Sequence, residues 1–165
     1  MLPPPDVSAP SAPAARPLHV AWPHALLSVA GLAVSGYAWH VHRLIKAGDG
    51  SGCGISETIS CDKVIGSRYG ELFHIPLGVY GLLFFALVLL CSVSTRPGPE
   101  ARNSEQMQRF AISAIGVLSS VALEYISLRV IGAVCPVCLT THFITLLLFG
   151  ASLWEIAKSR RRDGG

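Results

Sequence analysis

The chain has 165 residues and is rich in apolar residues but poor in charged ones. Hydrophobic residues make up 51% of it and charged residues 14%, and the mean hydropathy is +0.50. Ordinary soluble domains carry about 25% charged residues, so this composition argues against one. The net charge of +3 is small and spread along the chain, which argues against nucleic-acid binding.

The first 20 residues are rich in Pro, Ala and Ser, a composition that predicts a disordered tail. The first apolar window follows and ends in "HVHRLIK". A cleaved signal peptide would end its apolar stretch at small residues instead. We therefore expect a helix that stays in the mature protein.

Four windows are long and apolar enough to span a membrane, which takes about 20 residues. They cover residues 24–45, 75–94, 109–131 and 136–156, and glycine- or proline-containing joints separate them. Buried helices of a soluble protein are the alternative, but so few charges leave almost no polar face. The sequence thus predicts an all-α integral membrane protein with four transmembrane helices, a membrane domain over residues 21–157 and a basic tail over 158–165.

The distribution of Lys and Arg predicts the orientation. With the N-terminus in the cytoplasm, eight of these residues lie on the inner side and five on the outer side, and "KSRRR" lies near the C-terminus. Because cytoplasmic segments are enriched in Lys and Arg, both termini are expected in the cytoplasm. The long loop between the first two helices is then extracytoplasmic.

Four of the five cysteines fall on that outer face. Cys53 and Cys61 lie in the long loop, and Cys135 and Cys138 lie where the third helix passes into the fourth. Cys91 lies a membrane thickness away and is interpreted as a small apolar core residue. Because disulfides persist outside the cytoplasm, the two pairs suit a thiol–disulfide relay from a soluble protein to a lipid-soluble electron acceptor.

The stretch "CPVC" supports a reactive pair. Pro136 suits the first turn of a helix, which puts Cys135 near the N-cap and Cys138 inside the first turn. The unpaired N–H groups and the positive helix end favour a thiolate there. Cys138 is expected to face the electron acceptor, and Cys135, nearer the water, to be the sulfur that the loop pair attacks.

Two other interpretations use the same cysteines. Four of them could bind zinc, although structural sites use closely spaced pairs and the loop pair is C-x7-C. They could also form purely structural disulfides in a non-catalytic membrane scaffold. A redox titration with a quinone distinguishes a relay from either alternative.

Taken in order, these motifs carry a specific resemblance. "CGISETISCDKVIGSRYGELFHIPLGVYG", residues 53–81, followed by "GAVCPVCLTT", residues 132–141, resembles bacterial homologues of vitamin K epoxide reductase over roughly residues 25–154. The resemblance implies four helices around a quinone pocket, with ubiquinone or menaquinone as acceptor, no metal, and a bacterial inner-membrane location. Many such homologues carry a fused thioredoxin domain; the chain ends without one, so a separate DsbA-like partner is expected.

The resemblance also implies roles for individual residues. Cys53 would meet the partner, Cys61 would attack the Cys135–Cys138 disulfide, and Cys138 would reduce the quinone. Ser67 occupies a hydroxyl position that is expected to help align the site.

Two positions depart from the animal enzymes of this family. A quinone-contacting tyrosine is replaced by His142, and a quinone-binding asparagine by Leu77. Simple quinone reduction is therefore expected rather than reduction of an epoxide.

Ionisable residues inside the apolar windows are functional candidates in their own right. His142 lies four residues after Cys138, on the same helix face, and is expected to bind a quinone oxygen, to supply a proton, or to bond a neighbouring helix. Glu124 would serve a proton path or pair with another polar group. His40, His42 and Arg43 are interpreted as interfacial anchors.

Overall fold

The structure is a computed structural model that describes residues 21–93 and 99–163. The predicted N-terminal tail, residues 1–20, lies outside the described residues, as do residues 94–98 and 164–165. Four long helices dominate the chain: α1 (Trp22–Ala47), α3 (Leu77–Val93), α4 (Pro99–Ile126) and α5 (Pro136–Asp163). A π-helical segment, Ser127–Ile131, extends α4.

The segment between α1 and α3 contains the remaining elements. A short helix, α2 (Cys61–Ile65), is followed by a two-stranded antiparallel hairpin, β1 (Glu71–Leu72) and β2 (Ile75–Pro76). Glu71 pairs with Pro76 and Leu72 with Ile75. The all-α prediction thus needs this small hairpin added to it.

Each long helix overlaps one of the four predicted windows, and α1, α4 and α5 extend beyond theirs, whereas α3 begins two residues after the predicted start because residues 75 and 76 form β2. α4 begins at Pro99, ten residues before the predicted start, because proline suits the first turn and the polar residues that follow are compatible with a helix. α5 continues to Asp163, so most of the predicted basic tail is helical. Gly48 ends α1 with a φ of 90°, a left-handed conformation that glycine adopts without strain.

Two stretches are long and apolar enough to cross a membrane by length and composition, Ala101–Ile131 and Pro136–Arg161. Leu77–Val93 is apolar but has only 17 residues. α1 is long enough, with 26 residues, but carries three histidines, Arg43 and Lys46. The fold therefore establishes a predominantly helical protein with membrane-compatible helices.

The helices pack as a four-membered bundle through small residues. α1 contacts α3 and α5, and α4 contacts α5 and α3. A Cβ atom on Gly31 would come within 2.3 Å of the Phe85 ring, and one on Gly78 within 2.7 Å of the Trp39 backbone nitrogen. Small residues of this kind let apolar helices approach closely.

Two apolar clusters form the core at different levels. Phe85, Val88, Ile144 and Leu148 pack in the middle of the bundle. Val41, Cys61, Ile65 and Cys135 form a second cluster under the loop segment. Two of the candidate redox cysteines therefore belong to one buried cluster.

A polar network crosses the opposite end of the bundle. Arg109, which is buried, donates to Glu155 Oε2 at 3.3 Å and to the Cys91 carbonyl at 3.4 Å. His24 lies 3.5 Å from the other Glu155 oxygen and 3.0 Å from Ser152 Oγ. This network connects all four long helices, and each charge in it has a partner, as burial requires.

Candidate functional site

The loop pair is formed by the start of α2. Ser60 is the N-cap of α2, and its hydroxyl accepts a hydrogen bond from the Lys63 N–H at 3.3 Å. Cys61 follows as the first residue of the helix and is completely buried. It forms a disulfide with Cys53, with the two Cα atoms 5.5 Å apart. Cys53 is only partly buried, so the outer sulfur of the pair is the more accessible one.

A backbone bridge joins this loop to the segment before "CPVC". Ile59 and Val134 form a parallel bridge. The Ser60 N–H donates to the Val134 carbonyl at 3.0 Å, and the Val134 N–H donates to the Thr58 carbonyl at 2.7 Å. Cys61 and Cys135 follow the bridged residues closely in sequence, so the bridge brings the two cysteine pairs together.

The segment that carries Val134 is held by Ser127 at the start of the π-helical turn. The Ser127 hydroxyl donates to the Ala133 carbonyl at 2.6 Å, and the Ala133 N–H donates to the Ser127 carbonyl at 3.2 Å. Gly132, with a φ of 71°, makes the turn between them. π-helical turns are frequent at functional sites, and this one fixes the approach to Cys135.

Cys135 and Cys138 have the predicted placement at a helix start. Helix α5 begins at Pro136, and the Cys138 N–H donates to Cys135 Sγ at 3.2 Å. The hydrogen bond from the Cys138 side chain lowers the pKa of the Cys135 thiol; burial opposes this, and the N–H groups of Cys138 and Val137 reinforce it. Both cysteines are free thiols.

The expectation that Cys135 lies nearer the water is wrong. Cys135 is only 2% exposed, because the loop and α2 cover it. Cys138 is partly exposed and lines an internal cavity. Cys135 belongs to the same buried cluster as Cys61 and does not line the cavity. It is therefore positioned next to the loop pair, whereas Cys138 faces the cavity.

The cavity has a volume of about 500 Å³ and lies between the long helices. Aromatic and aliphatic residues of α3 and α4 form much of its wall, including Tyr80, Phe84 and Leu123. Its size is within the range of small-ligand pockets, about 300–1,000 Å³, and a mostly apolar lining with few polar groups is typical of them. Leu77 and His142, the two positions that depart from the animal enzymes, both line it.

His142 and Glu124 are brought together across this cavity wall. His142 Nδ1 lies 3.2 Å from Glu124 Oε2, and the side chains are 15% and 24% exposed. Both residues line the cavity with Cys138. The sequence identified each of them separately but did not predict their pairing, because they belong to different helices.

His42 is a functional candidate that the sequence misplaced. It is buried rather than interfacial, at 5% exposure, and it lines the cavity. Its Nδ1 lies 3.2 Å from the Ile65 carbonyl oxygen, and its Nε2 lies 3.1 Å from Glu71 Oε1, which also accepts from Lys46 at 2.7 Å. The sequence feature that could have indicated this burial is the spacing of seven residues between Ser35 and His42. On a helix this spacing puts both side chains on the same face, and both are buried.

Ser67 lies in the turn after α2 rather than among the cavity residues that the structure describes. Its hydroxyl donates to the Val64 carbonyl at 2.8 Å and accepts from the Tyr69 N–H at 3.2 Å. Tyr69 does line the cavity. Ser67 therefore shapes the turn that carries a wall residue.

Within residues 21–93 and 99–163, no group of three or more His, Cys, Asp or Glu side chains has the geometry to hold a metal ion. Cys91 is a free thiol on α3, partly buried, with its carbonyl bonded to Arg109. Its position at the Arg109 end of the bundle separates it from the other four cysteines.

Comparisons with known proteins agree with this geometry. The model of the vitamin K epoxide reductase family matches residues 22–153. Vitamin K epoxide reductase complex subunit 1 of Mus musculus is 30% identical over 152 aligned residues, which cover 82% of this chain and 90% of the mouse protein. The family match covers α1, α3, α4, the part of α5 up to residue 153, and both cysteine pairs.

Proposed function

The chain belongs to the vitamin K epoxide reductase family, and from this premise we propose that it is a membrane-bound thiol:quinone oxidoreductase that re-oxidises an extracytoplasmic protein. Membership implies a membrane-embedded enzyme that links thiols to a quinone. The partner is proposed to be a separate thioredoxin-fold protein of the DsbA type. All four long helices are proposed to span a bacterial inner membrane, with both termini in the cytoplasm.

The proposed electron path begins at the loop pair. A thiolate of the partner attacks the accessible sulfur of the Cys53–Cys61 disulfide, and the partner's second thiol releases itself as a disulfide. Cys61 then attacks an oxidised Cys135–Cys138 pair at Cys135, and Cys53 resolves the mixed disulfide. Two electrons thereby reach the Cys135–Cys138 pair.

The single observation that carries this path is the bridge between the two pairs. It holds Cys61 in one buried cluster with Cys135, while Cys138 opens on the cavity. A scaffold with independent structural disulfides has no need for such contact. Cys135 and Cys138 are free thiols, while Cys53 and Cys61 form a disulfide. This difference supports disulfide exchange between the pairs rather than two static structural disulfides.

The residues around the cavity fit a quinone substrate. A quinone ring is flat and apolar with two carbonyl oxygens, and the cavity offers aromatic walls at Tyr80 and Phe84 with a polar group at His142. His142 is proposed to contact a quinone oxygen and Ser67 to align the site through Tyr69. The replacement of the animal enzymes' asparagine by Leu77 supports reduction of a simple quinone, ubiquinone or menaquinone.

The test is oxidation of a reduced protein by the purified enzyme. The enzyme in detergent receives ubiquinone-1 and an excess of a reduced thioredoxin-fold protein with a C-x-x-C motif, and loss of the protein's thiols is followed with time. Turnover is expected with the unmodified enzyme and with Cys91→Ser, and none with Cys138→Ser. Thiol loss that is independent of quinone, or that survives Cys138→Ser, would exclude this function.

A further inference from the structure

The pair formed by Glu124 and His142 has a feature that binding alone does not require. Glu124 Oε2 lies at hydrogen-bond distance from Nδ1 of the histidine, 3.2 Å. Nε2 of His142 has no protein partner within the described residues, while the side chain lines the cavity. One ring nitrogen is therefore held by a carboxylate and the other is available to a group in the cavity.

Cys138 is the thiol nearest to that nitrogen along the chain. It precedes His142 by four residues on α5, so the two side chains are neighbours on one helix face. Both line the same cavity. A thiol beside a histidine that is oriented by a carboxylate is the arrangement by which a base activates a nucleophile.

The other histidine–glutamate pairs of the chain lack this open nitrogen. His24 Nε2 is bonded to Ser152 Oγ, and its Nδ1 faces Glu155, which Arg109 also holds. His42 uses both nitrogens, on the Ile65 carbonyl and on Glu71. In both of these histidines the nitrogen that does not face the glutamate is bonded to another protein group, a serine hydroxyl for His24 and a backbone carbonyl for His42.

We propose that Glu124 and His142 form a proton-transfer pair for Cys138, a role that rests on the proposed function. His142 Nε2 takes the proton of the Cys138 thiol as its sulfur gives up electrons, and then delivers that proton to a quinone oxygen. Glu124 holds the ring in position and stabilises the imidazolium that forms in between.

The step balances in atoms and electrons. The Cys135–Cys138 disulfide bond forms, two S–H bonds break, and two electrons and two protons convert the quinone into the quinol. The Cys138 proton travels through His142. The Cys135 proton is released to water on the outer side, and water supplies the proton for the second quinone oxygen.

Other titratable groups also face the cavity and could contribute to the pH dependence of the rate. They are His42 on α1, Tyr69 before the hairpin and Tyr80 on α3. His42 is held on both nitrogens, and the Tyr80 hydroxyl donates to the Leu72 carbonyl at 3.0 Å. None of these three residues belongs to α5, whereas His142 lies on α5 one turn from Cys138.

The test separates the quinone half-reaction from exchange between the cysteine pairs. The enzyme is reduced, mixed with excess ubiquinone-1 in a stopped-flow instrument, and followed by quinone absorbance over a range of quinone concentrations. The variants are His142→Ala, His142→Gln and Glu124→Gln. Glu155→Gln is the matched control, because it removes the carboxylate of the pair at the opposite end of the bundle.

At saturating quinone, His142→Ala is expected to lower the rate on the order of a hundredfold and Glu124→Gln about tenfold. The loss in His142→Ala should shrink as the pH rises, because a larger fraction of the thiol is then deprotonated without the help of a base. Added imidazole should partly restore that variant by entering the space left in the cavity. Exchange with the reduced protein partner should stay within about twofold in all variants, which also reports that they are folded.

Two results would overturn the proposal. A higher half-saturating quinone concentration with an unchanged maximal rate would make His142 a binding residue only. A pH-independent loss without imidazole rescue would make the pair structural, and His142→Gln decides this if His142→Ala does not fold. If the unmodified enzyme does not reduce the quinone at all, the result refutes the proposed function itself and not only the role of Glu124 and His142.

Discussion

Replacing Cys138 with serine should trap a disulfide between Cys61 and Cys135. The mixed disulfide is resolved by Cys53 in the forward direction and by Cys138 in the reverse direction, and Cys138→Ser removes the second of these thiols. Cys61 and Cys135 are 0% and 2% exposed in one buried cluster, so a bond between them is shielded from small thiols. When the purified variant is oxidised, the linkage is expected to accumulate beside the Cys53–Cys61 disulfide, which Cys53 can re-form.

The preference for Cys61 over Cys53 can be estimated from the bridge. A Cys61–Cys135 disulfide is compatible with both backbone hydrogen bonds at Val134. Cys53, whose Cα atom lies 5.5 Å from that of Cys61, is expected to reach Cys135 only if the loop moves and both bonds break. At about 1 kcal/mol net for each hydrogen bond, the difference is about 2 kcal/mol, or about 30-fold at equilibrium.

The assay is non-reducing peptide mapping by mass spectrometry after free thiols are blocked. The variant is made in a Cys91→Ser background so that this free thiol forms no other disulfide. The matched control adds Cys61→Ser, which should abolish the linkage. A dominant Cys53–Cys135 disulfide, or no disulfide between the loop and Cys135, would refute the assigned order of exchange.

Three further predictions test the orientation, the hairpin and the helix packing. A membrane-impermeant thiol reagent should label reduced Cys53 from outside intact cells but leave Cys91 unlabelled; labelling of Cys53 only after lysis would reverse the proposed orientation. The hydrogen bond from Lys46 is the main cause that lowers the Glu71 pKa below its ordinary value of 4.5. The ionised carboxylate therefore stabilises hairpin docking above pH 4.5. This stabilisation is lost as the pH falls through the lowered pKa. The protection of the hairpin amides against hydrogen exchange, relative to their intrinsic exchange rates, should therefore fall in acid. Lys46→Met should remove most of that dependence, and an unchanged pH dependence of the protection in Lys46→Met would contradict the prediction. Gly31→Ala should destabilise the fold by about 1–3 kcal/mol because its Cβ would collide with Phe85. Gly150→Ala is the control and should be neutral or stabilising, because nothing lies within 4 Å of the added Cβ. Equal melting temperatures for the two variants would refute this packing.

The sequence predicted those parts of the site that depend on local spacing. Apolar windows located the four long helices, and "CPVC" located the start of α5 with Cys135 before its first turn. Both cysteine pairs were identified because C-x7-C and C-x-x-C are contiguous patterns. Such features depend on residues that are close together along the chain, which a linear sequence displays.

Contacts between distant segments were beyond the sequence. The Ile59–Val134 bridge is made by backbone groups, which every residue carries, so no side-chain pattern marks it. The burial of Cys135 follows from that bridge, which is why the expectation of a water-facing Cys135 was wrong. The pairing of His142 with Glu124 depends on how α4 and α5 are rotated against each other.

His42 shows how a charge pattern near a helix end can mislead. Histidines beside Arg43 at the end of an apolar window are typical of an interfacial anchor, yet His42 is buried. Both of its ring nitrogens lie near oxygen atoms, those of the Ile65 carbonyl and the Glu71 carboxylate. Burial of the polar ring atoms at this end of α1 is therefore compensated by protein contacts.

Three histidines of the described chain therefore each face a glutamate, and the contact of the second ring nitrogen distinguishes them. A serine hydroxyl occupies it in His24 and a backbone carbonyl in His42, whereas in His142 it is left to the cavity. A histidine whose second nitrogen is bonded to the protein must break that contact to pass on a proton. At His142 the second nitrogen is left to the cavity, so the proposed proton transfer breaks no contact with a neighbouring helix. His142 also lies one helical turn from Cys138, which is why the proposal places the transfer there.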